Sequence, residues 1–182
     1  FWVAALASIA GFAVVSWGYF GDLFSPKYGA MAPRFFAATT MGIGLALVIQ
    51  WLTEHFTSTE KKPVTEIAHA AKTGPATLLL TGFASGLESS VCAILAIGAT
   101  IYGSYSIFGG SLSLSAYGIA LAGLGLLATT GFVLAEDTFG PISDNANGIF
   151  EMSGALKGNP KTPSGIEAHR IVAKLDAVGN TT

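Results

Sequence analysis

SAYGIALAGLGLLATTGFVLAEDTFGPISDNANGIFEMS, residues 115–153, is the stretch whose reading decides the fold. From Ser115 to Ala135 it carries no charge. An uncharged apolar run of about 20 residues is the length of one helical crossing of a bilayer. Glu136, Asp137, Asp144 and Glu151 then continue a helical pattern past the point where a lipid-exposed helix should end. The helix therefore projects into water or into a polar cavity. Asp137, Asp144 and Glu151 stand at i, i+7 and i+14. Each heptad step drifts only about 20° on a straight helix, so the three acids share one face.

The composition around this stretch agrees with a membrane solvent. Of 182 residues, 51% are hydrophobic and 11% charged, whereas a soluble domain is about 25% charged. The spans expected are 1–20, 35–56, 76–102 and 115–140, with the start of a further span near 173–182, within a single transmembrane domain 1–182. The fold class is all-α, a polytopic transmembrane helix bundle. Residues 57–75 are too polar for lipid and form a partly helical loop, and GSYSIFGGSLS (103–113) makes a tight turn. The chain opens inside an apolar run without an initiator Met, so it reads as an internal fragment, and targeting is silent. Small residues such as Gly82, Gly86, Gly123 and Gly125 permit close helix approach.

Charge orients the bundle. Lys61, Lys62, Lys72, Lys157, Lys161, Arg170 and Lys174 fall on one side if spans alternate, against Lys27 and Arg34 on the other. Short cytoplasmic loops collect Lys and Arg, which makes the acidic end of the fourth span cytoplasmic. A net charge of −2 without a basic stripe excludes nucleic acid as a partner. Cys92, the one cysteine, has no disulfide or metal-ligand partner at motif spacing. His55, His69 and His169 lack a paired ligand at i+3 or i+4 and read as surface residues. No Ser or Thr sits in a nucleophile-elbow context, so covalent catalysis has no support.

Three carboxylates within about 21 Å of helix repel one another unless water or cations compensate them. Mg²⁺ takes a few carboxylate oxygens together with waters and substrate phosphates, so the acidic face suits a Mg-phosphate substrate. Gly140 and Gly148 would leave room for it, and the amide of Asn145 or Asn147 would donate hydrogen bonds. A solvated helix end explains the same spacing equally well. Pro141 either kinks the helix near a site or marks where it loosens. Asp176 and Asn180 lie at i and i+4, offering a carboxylate and an amide on one face, or only a helix cap. Glu88 sits about halfway along the third span, where an ionisable group faces a partner or a wet cavity.

DTFGPISDNANGIFEMSG (137–154) followed by LDAVGNTT (175–182) resembles the paired motif of the membrane-integral, ion-pumping pyrophosphatases. KPVTEIAHAAKTGPAT (62–77) and GLESS (86–90) resemble the family's preceding loop and helix. The resemblance implies a homodimer of about sixteen spans per subunit, each long enough to cross the lipid. It implies hydrolysis of Mg-complexed pyrophosphate at the cytoplasmic face of the cell (inner) membrane, with export of H⁺, or of Na⁺ in a K⁺-stimulated variant. On that resemblance Asp144 takes Mg²⁺ and substrate, and Asn180 joins the substrate side. Asp137 is the deeper acid of the same helix, acting in catalysis or along the ion path. Glu88, an ion-path candidate by its place in the third span, matches a family position that varies between acid and base, so the resemblance carries no function onto it, and Glu151 keeps a bland role.

The family's lysine-containing acidic motif, its DNVGDNVGD-type motif and its late acid-lysine helices are absent, so the piece alone is expected to be inactive. Asn147 stands where the family commonly has Gly, and 155–170 looks longer than usual. The residue after Thr182, which bears on K⁺ dependence, lies beyond the sequence. A secondary transporter or channel using Glu88 and Asp137, without hydrolysis, is the alternative from another class. A purely structural membrane subunit would leave the acids unexplained.

Overall fold

A computed structural model describes residues 1–22, 24–25, 29–154 and 163–179. Among them seven helices dominate: α1 (Trp2–Phe20), α2 (Ala32–Thr57), α3 (Lys62–Ala70), α4 (Pro75–Ile107), α5 (Leu112–Leu127), α6 (Thr130–Ser153) and α7 (Pro163–Gly179). A two-residue antiparallel ladder joins β1 (Phe24–Ser25) to β2 (Gly29–Ala30) between α1 and α2. The all-α membrane class read from the sequence holds. α1, the run Ala32–Ala70 that contains α2, and α4 are each long and apolar enough to cross a membrane. Helices suit that solvent because they satisfy their backbone groups internally.

The fourth apolar run differs from a single helix over 115–140. It is two helices, α5 and α6, broken at Ala128 and Thr129, and the pair has the length and hydropathy of one span only when taken together. At the break the Ala128 N–H bonds to the Gly125 carbonyl, while the Phe132 N–H starts a new turn on the Thr129 carbonyl. The tight turn expected over 103–113 is shorter as well, because α4 runs on to Ile107. Side chains satisfy terminal carbonyls, with Ser115 Oγ donating to Tyr105 O at 3.2 Å and Arg34 to Ile107 O, while Ser106 Oγ adds a bond to Tyr102 O one turn earlier at 2.8 Å. Gly110, at φ 97°, makes the reversal, and Ser111 caps α5 by accepting from the Leu114 N–H.

The chain divides into two compact units. The first comprises Phe1–Leu52 and Glu88–Phe132. Its core is Met31, Phe35, Ala38, Phe108 and Leu121. Ring centroids of Phe35 lie 4.3 Å from Phe20, 5.7 Å from Phe108 and 5.7 Å from Tyr117. Beside this aromatic cluster α2 and α5 meet at backbone distance. A Cβ on Gly42 would overlap the Ala122 carbonyl, and one on Gly125 would overlap the Thr39 carbonyl. Small residues at helix contacts are the usual route to packing where lipid removes the hydrophobic drive between helices.

The second unit comprises Thr53–Leu87 and Val133–Thr182. The polar segment after α2 contains α3, which starts with Pro63 in its first turn and carries an exposed Lys62–Glu66 pair at 3.2 Å. α7 begins at Pro163, ten residues before the expected start of a further span near 173. Within this unit α6 and α7 pack through glycine: a Cβ on Gly140 would stand 2.8 Å from the Gly179 carbonyl oxygen, and one on Gly179 would overlap Ser143 Oγ.

Candidate functional site on α6

α6 carries the whole acid series on one continuous helix despite Pro141 inside it. Proline has no N–H, which frees the Asp137 carbonyl from its intrahelical donor. Polar side chains brace the turns around it. Thr138 Oγ1 donates to Leu134 O at 2.7 Å, Ser143 Oγ to Gly140 O at 2.8 Å, and Asn145 Nδ2 to Pro141 O at 2.7 Å. The Asn145 amide is therefore engaged by its own helix.

Gly140, Ser143 and Asn147 form the strip that meets α7. At about 100° per residue, Glu151, Asp144 and Asp137 lie roughly 20°, 40° and 60° to one side of Gly140, while Ser143 and Asn147 lie to the other. The three acids thus border the helix contact and stay exposed. About 10 Å of helix separates each from the next. No two of them can share one small cation, and no group of three His, Cys, Asp or Glu side chains converges on a metal position among the described residues.

Between α6 and α7 the Asn147 Nδ2 donates to Asp176 Oδ2 at 3.4 Å, which sequence reading did not foresee. The other polar atom of the Asn147 amide, Oδ1, is buried without a partner among the described residues. Glu136, one residue before Asp137, is half-buried, with Oε2 buried and without a partner among the described residues. The available signal was periodicity: Gly140, Ser143 and Asn147 at i, i+3 and i+7 make a stripe of small and amide residues. Asn180 lies outside the described residues. Glu88 is exposed on α4 and forms no salt bridge among the described residues. It belongs to the first unit, whereas Asp137 and Asp144 belong to the second.

A family model described as inorganic H⁺ pyrophosphatase matches residues 1–182. The chain belongs to the inorganic H⁺ pyrophosphatase family. It is 42% identical, over its whole length, to a K⁺-insensitive pyrophosphate-energised proton pump of Streptomyces coelicolor, covering 23% of that protein. A K⁺-insensitive pyrophosphate-energised proton pump of Chloroflexus aurantiacus is 43% identical, again over the whole chain and 23% of the relative. A Clostridium tetani protein, provisionally named a K⁺-stimulated pyrophosphate-energised sodium pump, is 36% identical over the whole chain and 24% of its own length. The chain thus spans less than a quarter of these membrane pumps. The resemblance read from 62–77, 86–90, 137–154 and 175–182 is the family that the whole chain matches.

Proposed function

We propose that the protein hydrolyses Mg-complexed pyrophosphate and couples hydrolysis to H⁺ export across the cell membrane, with Asp144 presented to the substrate from the cytoplasmic side. The observation that carries this reading is the family match over all 182 residues, within which Asp144 stands exposed on α6 beside the α7 contact. Relatives named as proton pumps at 42% and 43% identity support H⁺ over Na⁺.

The residues present fit Mg²⁺ as a partial donor set. Mg²⁺ is held by one or two carboxylates, with waters and substrate phosphates completing its octahedron. Asp144 is an exposed carboxylate of that kind. The cation, when bound, neutralises phosphate charge and polarises the bond to be broken. Asp144 holds the substrate complex against α6, and its negative charge repels bare pyrophosphate while admitting the metal complex. Asp137, two turns back along α6, would accept or release the transported ion. Pro141, which removes one intrahelical hydrogen bond, lies between the two acids, so a shift of α6 on substrate binding would be felt at both. Asn180 would add an amide donor on the substrate side, Glu88 a second ion-path position, and a second subunit would complete a homodimer.

The test uses the full-length protein in sealed vesicles. Pyrophosphate-driven acidification that is abolished by Asp144→Ala, with the protein still folded, is the expected result. Ion uptake driven by a gradient alone, with hydrolysis unaffected by Asp144→Ala, would overturn the reading in favour of a secondary transporter. Uptake of Na⁺ stimulated by K⁺ is the second reading, favoured by the Clostridium tetani relative.

A further inference from the structure

We propose that Asn147 is a positioning residue for the Asp144 carboxylate, acting through its hydrogen bond to Asp176 across the α6–α7 contact. The inference deepens the pyrophosphate reading and rests on it.

The glycine contact alone does not fix how α6 is turned. Gly140 and Gly179 meet backbone to backbone, and Ser143 Oγ already bonds to its own helix at Gly140 O. Such a smooth, close contact lets one helix roll against the other. A roll of about 40° is the angle that separates Asp144 from the Gly140 line. It would swing Asp144 from the open border of the contact into the contact itself. A directional bond resists that roll, and Asn147 Nδ2 to Asp176 Oδ2, at 3.4 Å, is one. It lies one turn beyond Asp144 on α6 and one turn before Gly179 on α7, so it brackets the glycine contact from one end. The bond pairs an amide donor with a carboxylate acceptor, and at 3.4 Å it is long for such a pair, so its contribution is to direction more than to strength.

A second observation separates this arrangement from incidental packing. Asn147 Oδ1 is buried and has no donor among the described residues. Buried oxygens without partners are rare because each forfeits a hydrogen bond to water. Packing alone would be served better by Ala or Gly at this position. An amide there, with one end tied to Asp176 and the other buried, is accounted for by the need to orient the helix.

The isosteric exchange tests it. In full-length protein, Asn147→Asp sets two carboxylates against each other, and adding Asp176→Asn restores a donor and an acceptor with their places reversed. Two quantities are measured for each variant: the Mg²⁺ concentration that half-saturates hydrolysis, and the Mg²⁺ concentration that half-saturates the rise in melting temperature. Asn147→Asp is expected to raise both by about tenfold, a change that corresponds to roughly 1.4 kcal/mol. The double exchange is expected to return both to within about threefold of the parent, as coupled neighbours do. If Asn147→Asp lowers the melting temperature without moving either Mg²⁺ dependence, the role is structural and the proposal fails. A double exchange as weak in Mg²⁺ as Asn147→Asp also overturns it. Should the parent protein hydrolyse no pyrophosphate, the functional reading falls, and the melting series still decides the Asn147–Asp176 pairing.

Discussion

The α2–α5 contact in the first unit and the α6–α7 contact in the second use the same device and put it to different ends. In both, glycine lets backbones approach to where a methyl group would not fit. Around α2 and α5 the packing is largely apolar and aromatic, with Phe35, Phe108 and Leu121 buried and Phe35 touching three other rings, and the Thr39 hydroxyl at the contact is tied back to the Phe35 carbonyl of its own helix. Around α6 and α7 the neighbours are Ser143, Asn147 and Asp176, with three exposed acids along the border. A neutral close contact, whose polar groups bond within their own helices, offers no charged edge for an ion to bias. The polar one can be biased by a cation or an anionic substrate, since its edge consists of charged and hydrogen-bonding groups.

The largest test of that contrast is Gly125→Leu. Its side chain would occupy the space of the Thr39 carbonyl, and backbone cannot yield as a flexible side chain can. Folded protein should fall below about a tenth of the parent in a detergent-solubilised size-exclusion profile. Asp144→Ala should do the opposite, leaving the profile and melting temperature unchanged while hydrolysis drops about 10³-fold, the scale of losing several kcal/mol of charge stabilisation. Next in size is Gly140→Ala. Its methyl group would press the Gly179 carbonyl at 2.8 Å and cost about 1–3 kcal/mol, read as a lowered melting temperature. Hydrolysis should fall with it, because the same shift displaces α6. If Gly140→Ala leaves activity intact, the polar contact is only an anchor like the apolar one, and the comparison collapses. The smallest effect belongs to Lys62→Ala, which removes an exposed i,i+4 pair on α3 and should change stability by less than about 0.5 kcal/mol.

How much of this was legible in the sequence depends on the range of the signal. The helices and their membrane character follow from runs such as Trp2–Phe20, where local hydropathy suffices. The acid face of α6 follows from spacing alone, since 137, 144 and 151 fall one above another on any helix. The break at Ala128–Thr129 was not legible, because no Pro or charge marks it and Ala and Thr sit as readily inside a helix. The end of α4 was misplaced for a related reason. Gly103 and Ser104 look like turn formers, yet side-chain oxygens and Arg34 satisfy the carbonyls that an early turn would have exposed. Asn145 looked as available to a ligand as Asn147. Only the fold ties the first to Pro141 and turns the second toward Asp176.

By itself, then, the sequence determined the helical membrane class, the family, and the common face of Asp137, Asp144 and Glu151. These rest on periodicity, composition and motif spacing, which are properties of neighbours along the chain. Tertiary structure decided which side of α6 meets α7, that Asp144 borders the contact without entering it, and that Asn147 buries an oxygen there. Those outcomes depend on where a helix 29 residues further along comes to lie. The angle at which two glycine-lined helices settle is set by close packing between them and leaves no trace in the local pattern of either.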